Sequence, residues 1–342
     1  MPGRSVHLVG SIPAQSTSDA LKFVTDILGN TIGPSMPDGE TGDRADWVNR
    51  LVEGLRTNPA LELVSDGSWS GYDDTPAFRV KRGARLRSIE LDYHESFLDS
   101  WKDYENMVAG SGRRFQVGIP GHIDLAAIAF GFNLPSAMRH LAPFREATIR
   151  EIGAIGGRRR DSVLFQLEVP IELIMLSKLP GPGRAKAAGR FAREILRVVD
   201  ATAPGTRFGL HLCLGDLNNR SMGDPPDAAA LVNLANALMV EWPAGRVLDY
   251  LHAPFAHGDR APTMDPDYYR PLRDLWLPDH VRFIAGIIHE ATTIQRLVQV
   301  RDQIEHDLGR PVDVAASCGL GRRSRQDARL NLEIARAVAL AD

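Results

Sequence analysis

Apolar and polar positions along the chain follow two rhythms in alternation. Short β-branched or apolar runs recur at residues 5–10 (SVHLVG), 60–65 (ALELVS), 114–119 (RFQVGI) and 162–169 (SVLFQLEV). The second half adds 207–213 (RFGLHLC), 246–252 (RVLDYLH), 281–288 (VRFIAGII) and 311–317 (PVDVAAS). Runs of this kind suit strands buried on both faces of a parallel sheet. Between them, apolar residues spaced three and four apart predict helices at 18–28, 46–55, 185–199, 226–239, 291–308 and 324–341. Eight strands with intervening helices fit a single (β/α)8 TIM barrel over residues 1–342, an α/β fold. An open doubly wound sheet would carry a glycine-rich phosphate loop after the first strand, and Gly10-Ser11-Ile12-Pro13 is not one. Much of 30–70, and the stretch 71–104, show no strong periodicity and read as elaborated loops.

Composition narrows the function more than the fold. A chain of 342 residues with 44% hydrophobic content can bury a large core. A net charge of −3 gives no excess of Lys and Arg for nucleic acid or an anionic membrane, so neither is expected as a partner. The start of the chain lacks a secretory signal pattern and no run reaches 18 apolar residues, which predicts a cytoplasmic protein. Only Cys213 and Cys318 occur, which excludes a disulfide framework and leaves metal binding, redox chemistry or plain burial.

In a β/α barrel the chemistry gathers at the C-terminal mouths of the strands. The candidates there are Ser11, Glu40 in the loop beyond it, Glu168, His211, Cys213, His252, His289 and Cys318. His211 and Cys213 are two apart on a strand and leave the same face, so they can grip one metal ion. Zinc takes imidazole nitrogen and thiolate sulfur in tetrahedral geometry, and Cys318 at another mouth could add a third ligand. Inert burial of both cysteines is the competing reading.

Five segments resemble the cobalamin-independent methionine synthases, in that family's order. Val9-Gly-Ser-Ile-Pro13 is similar to their Ile-Gly-Ser-Phe-Pro. Asp38-Gly-Glu-Thr-Gly-Asp-Arg-Ala-Asp-Trp-Val48 resembles His-Gly-Glu followed by Arg-x-Asp-Met-Val. Gln166-Leu-Glu-Val-Pro170 is similar to their Asp-Glu-Pro strand. Gly209-Leu-His-Leu-Cys-Leu-Gly-Asp-Leu-Asn218 resembles their His-x-Cys strand, and Ser317-Cys-Gly-Leu-Gly-Arg-Arg323 their Asp-Cys-Gly-Leu-Lys-Thr-Arg turn. The resemblance implies that His211, Cys213 and Cys318 bind zinc and that Ser11, Glu40 and Glu168 hold the amino-acid part of a thiol substrate. It implies a zinc-dependent methyl or alkyl transfer onto that thiol from a small-molecule donor, as in making methionine from homocysteine. This chain corresponds to the catalytic barrel alone, so a folate donor is not implied.

The departures define further expectations. The family's fourth ligand is a glutamate on the strand after His-x-Cys, but residues 246–254 contain none. His252 stands as its replacement, with Asp249 and His257 behind it. Asp216 and Asn218 follow the His-x-Cys strand and could orient ligands or donor. His289 is a candidate proton donor, and Asp216 is grouped with it as a candidate catalytic residue. His122 and Asp124 should line the same mouth, with His122 at the substrate, and Arg323 fits the last turn motif. Two rival readings stand beside the transferase. One is a metal-free barrel like the uroporphyrinogen decarboxylases; the other is a non-catalytic barrel with a structural zinc or redox-sensing site.

Overall fold

The computed structural model describes residues 3–342. Nine strands occur among them: β1 (Ser35–Pro37), β2 (Leu61–Ser65), β3 (Ala77–Val80), β4 (Arg114–Pro120), β5 (Val163–Glu168), β6 (Arg207–His211), β7 (Val247–Pro254), β8 (Arg282–Ile288) and β9 (Asp313–Ala316). Seven form one sheet in the order β1-β4-β5-β6-β7-β8-β9, every neighbouring pair parallel. The helices are α1 (Thr17–Leu28), α2 (Trp47–Gly54), α3 (Tyr93–Met107), α4 (His122–Ala129), α5 (Leu134–Arg139) and α6 (Leu141–Gly156). They continue with α7 (Pro170–Ser177), α8 (Gly181–Asp200), α9 (Ala229–Val240), α10 (Pro266–Tyr269), α11 (Ile294–Leu308) and α12 (Arg325–Leu340).

The sheet curls until both its ends flank one segment. Val6 makes parallel bridges to Ile32, just ahead of β1, and to Val314 of β9. Val6 N donates to Thr31 O at 2.7 Å, and His7 N to Val314 O at 2.9 Å. The strand expected at 5–10 is therefore reduced to this bridge. Side chains inside the curl take the place of the missing ladder: Gln116 Nε2 donates to the carbonyls of Leu8 and Val9 at 2.8 and 2.9 Å, and Gln166 Nε2 to Val9 O at 2.8 Å. Backbone groups so satisfied need no neighbouring strand.

Six of the eight expected strands stand in the sheet as β4 to β9; the run at 60–65 does not. It forms β2, which pairs antiparallel with β3 in a separate hairpin and is mostly exposed. Its place beside β4 is taken by three residues, Ser35–Pro37, too short to show a period. A second correction is α3, which occupies part of the segment read as loop. Its buried stripe is Phe97, Ser100 and Tyr104, and the hydroxyl in the middle breaks the apolar pattern. Ser100 Oγ is buried because it donates to Asp38 Oδ2 at 2.5 Å.

The expected helices form close to their predicted limits, with local signals that explain them. Ser16 accepts from Asp19 N ahead of α1, Thr293 from Arg296 N ahead of α11, and Ser324 from Asp327 N ahead of α12. Gly309 ends α11 in the left-handed conformation. Apolar faces of these helices and the outer face of the sheet share one core running from Val6 to Ala339. A second cluster joins α4 and α6 to the β2-β3 hairpin through Ile123, Phe144, Leu61 and Phe78. Inside the curl lies a third, small one: Val9, Leu164, Tyr250, Ile284 and Ala315. Among the described residues no helix is long and apolar enough to cross a membrane.

Candidate metal centre

Three donors meet at the mouths of β6 and β9. His211 closes β6 and Cys213 follows two residues on, while Cys318 follows β9 by two. Ligand atoms of His211, Cys213 and Cys318 all lie within 4.8 Å of one another, and the two Sγ atoms are 3.9 Å apart. Zinc–sulfur bonds of about 2.3 Å in a tetrahedron place two sulfurs about 3.8 Å apart, so the donor set fits that ion. Gly215 N donates to Cys213 Sγ at 3.3 Å. The bonded neighbour Cys213, together with burial, pushes the Cys318 thiol well above its ordinary range. A divalent cation reverses that bias, because it favours the thiolate over the thiol.

The imidazoles behind the donors decide how His211 presents itself. His211 Nδ1 lies 2.7 Å from His252 Nδ1, and His252 Nε2 lies 3.0 Å from Ala316 O. His211 Nε2 is buried and has no partner. Burial pushes His252 down to about 4 and His211 well below its ordinary value, so both rings are neutral at neutral pH. His252, expected as the fourth ligand, faces His211 and a backbone carbonyl here and lies outside the donor group. So do the reserve candidates: Asp249 pairs with Arg207, and His257 Nε2 with Arg260 at 2.9 Å.

On the β4 and β5 side, two carboxylates converge over Gly118. A Cβ there would stand 2.9 Å from Glu40 Oε1 and 3.1 Å from Glu168 Oε1, so only glycine leaves them room. Glu40 is held with φ of 42°, a conformation that costs a non-glycine residue energy and often marks a functional site. Burial pushes Glu168 up to about 7, against the pull of Gln166 Nε2 at 3.2 Å. Burial first and Glu168 second push Glu40 well above its ordinary value. Ser11 sits on the turn after Cys318: Leu320 N donates to Ser11 O at 2.7 Å and Gly321 N to Ser11 Oγ at 3.2 Å.

A cleft opens beside these groups, with Cys213, Cys318, Glu168, Asp216, Asp124 and Arg322 in its wall. Trp47, Trp69, Tyr72 and Phe132 make much of the rest apolar and aromatic. Trp69, Phe132 and Asn218 also have positive φ, so backbone strain gathers around this cleft as it does at Glu40. Asp216 is buried, pushed up to about 6 by that burial, and its Oδ1 has no partner.

Several expected site residues lie elsewhere. His122 faces α8, 3.9 Å from Glu194, and does not line the cleft. His289 is bound by backbone: it accepts from Ala291 N at 3.0 Å, and its Nε2 is 3.3 Å from Gly258 O. Asn218 Nδ2 donates to Trp69 O at 2.9 Å and braces a loop. Arg323 is tied to Glu290 at 2.8 Å and Gly258 O at 3.1 Å. Its neighbour Arg322 reaches the cleft instead, 3.5 Å from Asp216 Oδ2. Adjacent arginines in a turn gave no means of choosing between them. Sequence reasoning also missed Tyr72, whose hydroxyl accepts from Leu217 N at 2.8 Å, because its loop carries no period.

No protein-family model matches this chain, and no curated protein matches it by sequence. Solved structures do match. A B12-independent methionine synthase from Shewanella sp. W3-18-1, in complex with selenomethionine, superposes with a TM-score of 0.65 at 12% identity over 98% of this chain and 97% of its own. This chain has that fold. A putative vitamin-B12 independent methionine synthase from Listeria monocytogenes matches at TM-score 0.52 and 12% identity, over 94% of this chain and 86% of its own. A methyltransferase from Methanosarcina mazei matches at 0.54 and 12%, over 98% and 94%. The B12-independent methionine synthase architecture thus spans nearly the whole chain, in agreement with the motif resemblance.

Proposed function

We propose that this chain is a zinc-dependent transferase that moves a methyl or other alkyl group onto a small-molecule thiol. The observation that carries this reading is the convergence of the His211 imidazole, one nitrogen of which is buried without a partner, with two thiols that line a cleft. The chain then reads as one (β/α)8 barrel, with the bridge at Val6 as its eighth stave. His211, Cys213 and Cys318 would hold the ion, which supplies Lewis acidity that keeps a substrate sulfur ionised at neutral pH.

The residues of the chain do the rest. Glu40 and Glu168 suit the ammonium of an amino-acid thiol, since a buried carboxylate pair needs a cation to ionise fully. The Ser11 hydroxyl proton, not used by the bond from Gly321, is available to the substrate carboxylate. Trp47, Trp69 and Phe132 exclude water from the alkyl donor. In the transfer a sulfur–carbon bond forms and the bond to the leaving group breaks, the leaving atom keeping the electron pair. Asp216, with an unpartnered oxygen in the cleft wall, is placed to protonate an amine so released. The selenomethionine in the Shewanella structure is the kind of amino-acid product this pocket would release.

A closed structural zinc site needs four protein donors, and among the described residues three converge, which favours an exchangeable position and a catalytic role. The purified protein is expected to carry one equivalent of zinc by elemental analysis, with Cys213→Ser and Cys318→Ser each losing most of it. Cobalt substituted for zinc should change its absorption spectrum when an amino-acid thiol is added. A metal-free protein, or serine variants that keep full zinc, sinks the reading.

A further inference from the structure

The position where the resembling family carries a ligand glutamate holds His252 here, and the surroundings of that ring give it a different task. Ala316 O can only accept a hydrogen bond, so the His252 Nε2 that faces it at 3.0 Å carries the proton. In a neutral ring the other nitrogen is then bare. That bare Nδ1 faces His211 Nδ1 at 2.7 Å, so His211 donates and carries its own proton there. Its Nε2 is left as a lone pair, buried and without a partner, on the ring that belongs to the donor group with the two thiols.

The arrangement is built rather than incidental. His252 is fully buried, and Gly286 on the next strand is what admits it: a Cβ at 286 would stand 2.8 Å from His252 Nε2. The His7 ring lies 5.9 Å away on the other side. Register places His252 directly across from His211 between β7 and β6. Each ring is therefore held by packing and by ladder, and the proton order follows from a single fixed carbonyl.

We infer that His252 is a positioning residue, not a ligand: through the relay Ala316 O, His252, His211 it fixes the tautomer that aims the His211 Nε2 lone pair at the two thiols. The inference rests on the proposed metal reading for its purpose, but the proton order can be measured without a metal. The ion then has three protein donors, and its fourth position is left to the substrate sulfur. A ring held in the ligating tautomer by an outer partner binds metal more tightly, commonly by 10–100-fold.

The test uses the full-length, zinc-stripped protein with 15N-labelled histidine. Long-range proton–nitrogen correlation spectra should show His252 protonated at Nε2 and His211 at Nδ1. His252→Phe removes the acceptor, while His252→Asn keeps an oxygen near the place of Nδ1. In chelator competition, Phe should weaken zinc binding about 10–100-fold, and Asn should recover much of the loss. Matched thermal unfolding curves show whether either variant is simply misfolded; if Phe is, the spectra of the native chain alone decide. His211 protonated at Nε2, two imidazoles per zinc by X-ray absorption, or a folded His252→Phe that holds zinc like the parent overturns the inference. A native chain that binds no zinc at all overturns the transferase reading instead, and leaves the measured tautomers standing.

Discussion

Glu168 shows how far a single side chain can be read from its surroundings. Its carboxyl is pushed from 4.5 up to about 7 by burial beside Glu40. The folded chain therefore holds that proton more tightly than the unfolded chain. Stability conferred by the protonated form is complete below about pH 4.5 and is lost as pH rises through about 7. Glu168→Gln should lessen the fall of urea-measured stability across this window, while Asp216, pushed up to about 6, and Glu172, pushed up to about 7, keep their own share of it. If Glu168 binds a substrate ammonium, KM should fall as pH rises through the same range, and the Gln variant should lose that dependence. A variant whose stability falls as steeply as the parent's between those values would show that Glu168 is not a source of the loss. The sequence made this carboxylate visible through its place at the end of a strand. It also exposed His211 and Cys213 through their two-residue spacing. It did not show that His252 faces another imidazole, because a strand-end histidine looks the same whether it faces an ion or a second ring.

Strands and helices were legible wherever burial was regular. The runs that became β4 to β9 are mostly buried and alternate with helices, so their rhythm survives in the sequence. Where polar groups complete the structure, the rhythm fails. Gln116 and Gln166 take over the carbonyls of the 5–10 segment, Ser100 interrupts the stripe of α3, and β1 is only three residues long. The hairpin run at 60–65 misled in the other direction, since a short apolar run does not say which sheet it joins, and here it is buried only at Leu61. Strand β6 gives a sharp test of interior packing. A Cβ at Gly209 would stand 2.1 Å from the Tyr250 ring, and the β6-β7 register shifts at this point. Gly209→Ala should cost about 1–3 kcal/mol or more by denaturant titration, as overpacked cores do. Because Tyr250 OH donates to Gln166 Oε1 at 2.9 Å, displacement of the ring should also loosen the glutamine network. A variant as stable as the parent would mean that the ring has room the structure does not show.

At the scale of the whole molecule, the curl of the sheet brings together groups the chain keeps far apart. Cys213 and Cys318 are 105 residues from one another, yet their sulfurs stand 3.9 Å apart. Only the strand order β6-β7-β8-β9 and the turns that follow β6 and β9 put them there. A spacing suited to an ion is also short enough to be hazardous. Thiols this close need move by only about 2 Å to join as a disulfide, whose bond length is about 2.05 Å. Zinc-stripped protein treated with hydrogen peroxide should therefore lose both free thiols together, with a mass change of two hydrogens and no dimer on a non-reducing gel. Loaded protein should resist, since both sulfurs are engaged. Loss of one thiol without the other would show that the pair is held apart in solution. If the centre holds zinc as proposed, metal scarcity and oxidative stress would not be independent threats to a cell carrying this chain. The first exposes the centre to the second, and recovery would require a reductant before any ion could return.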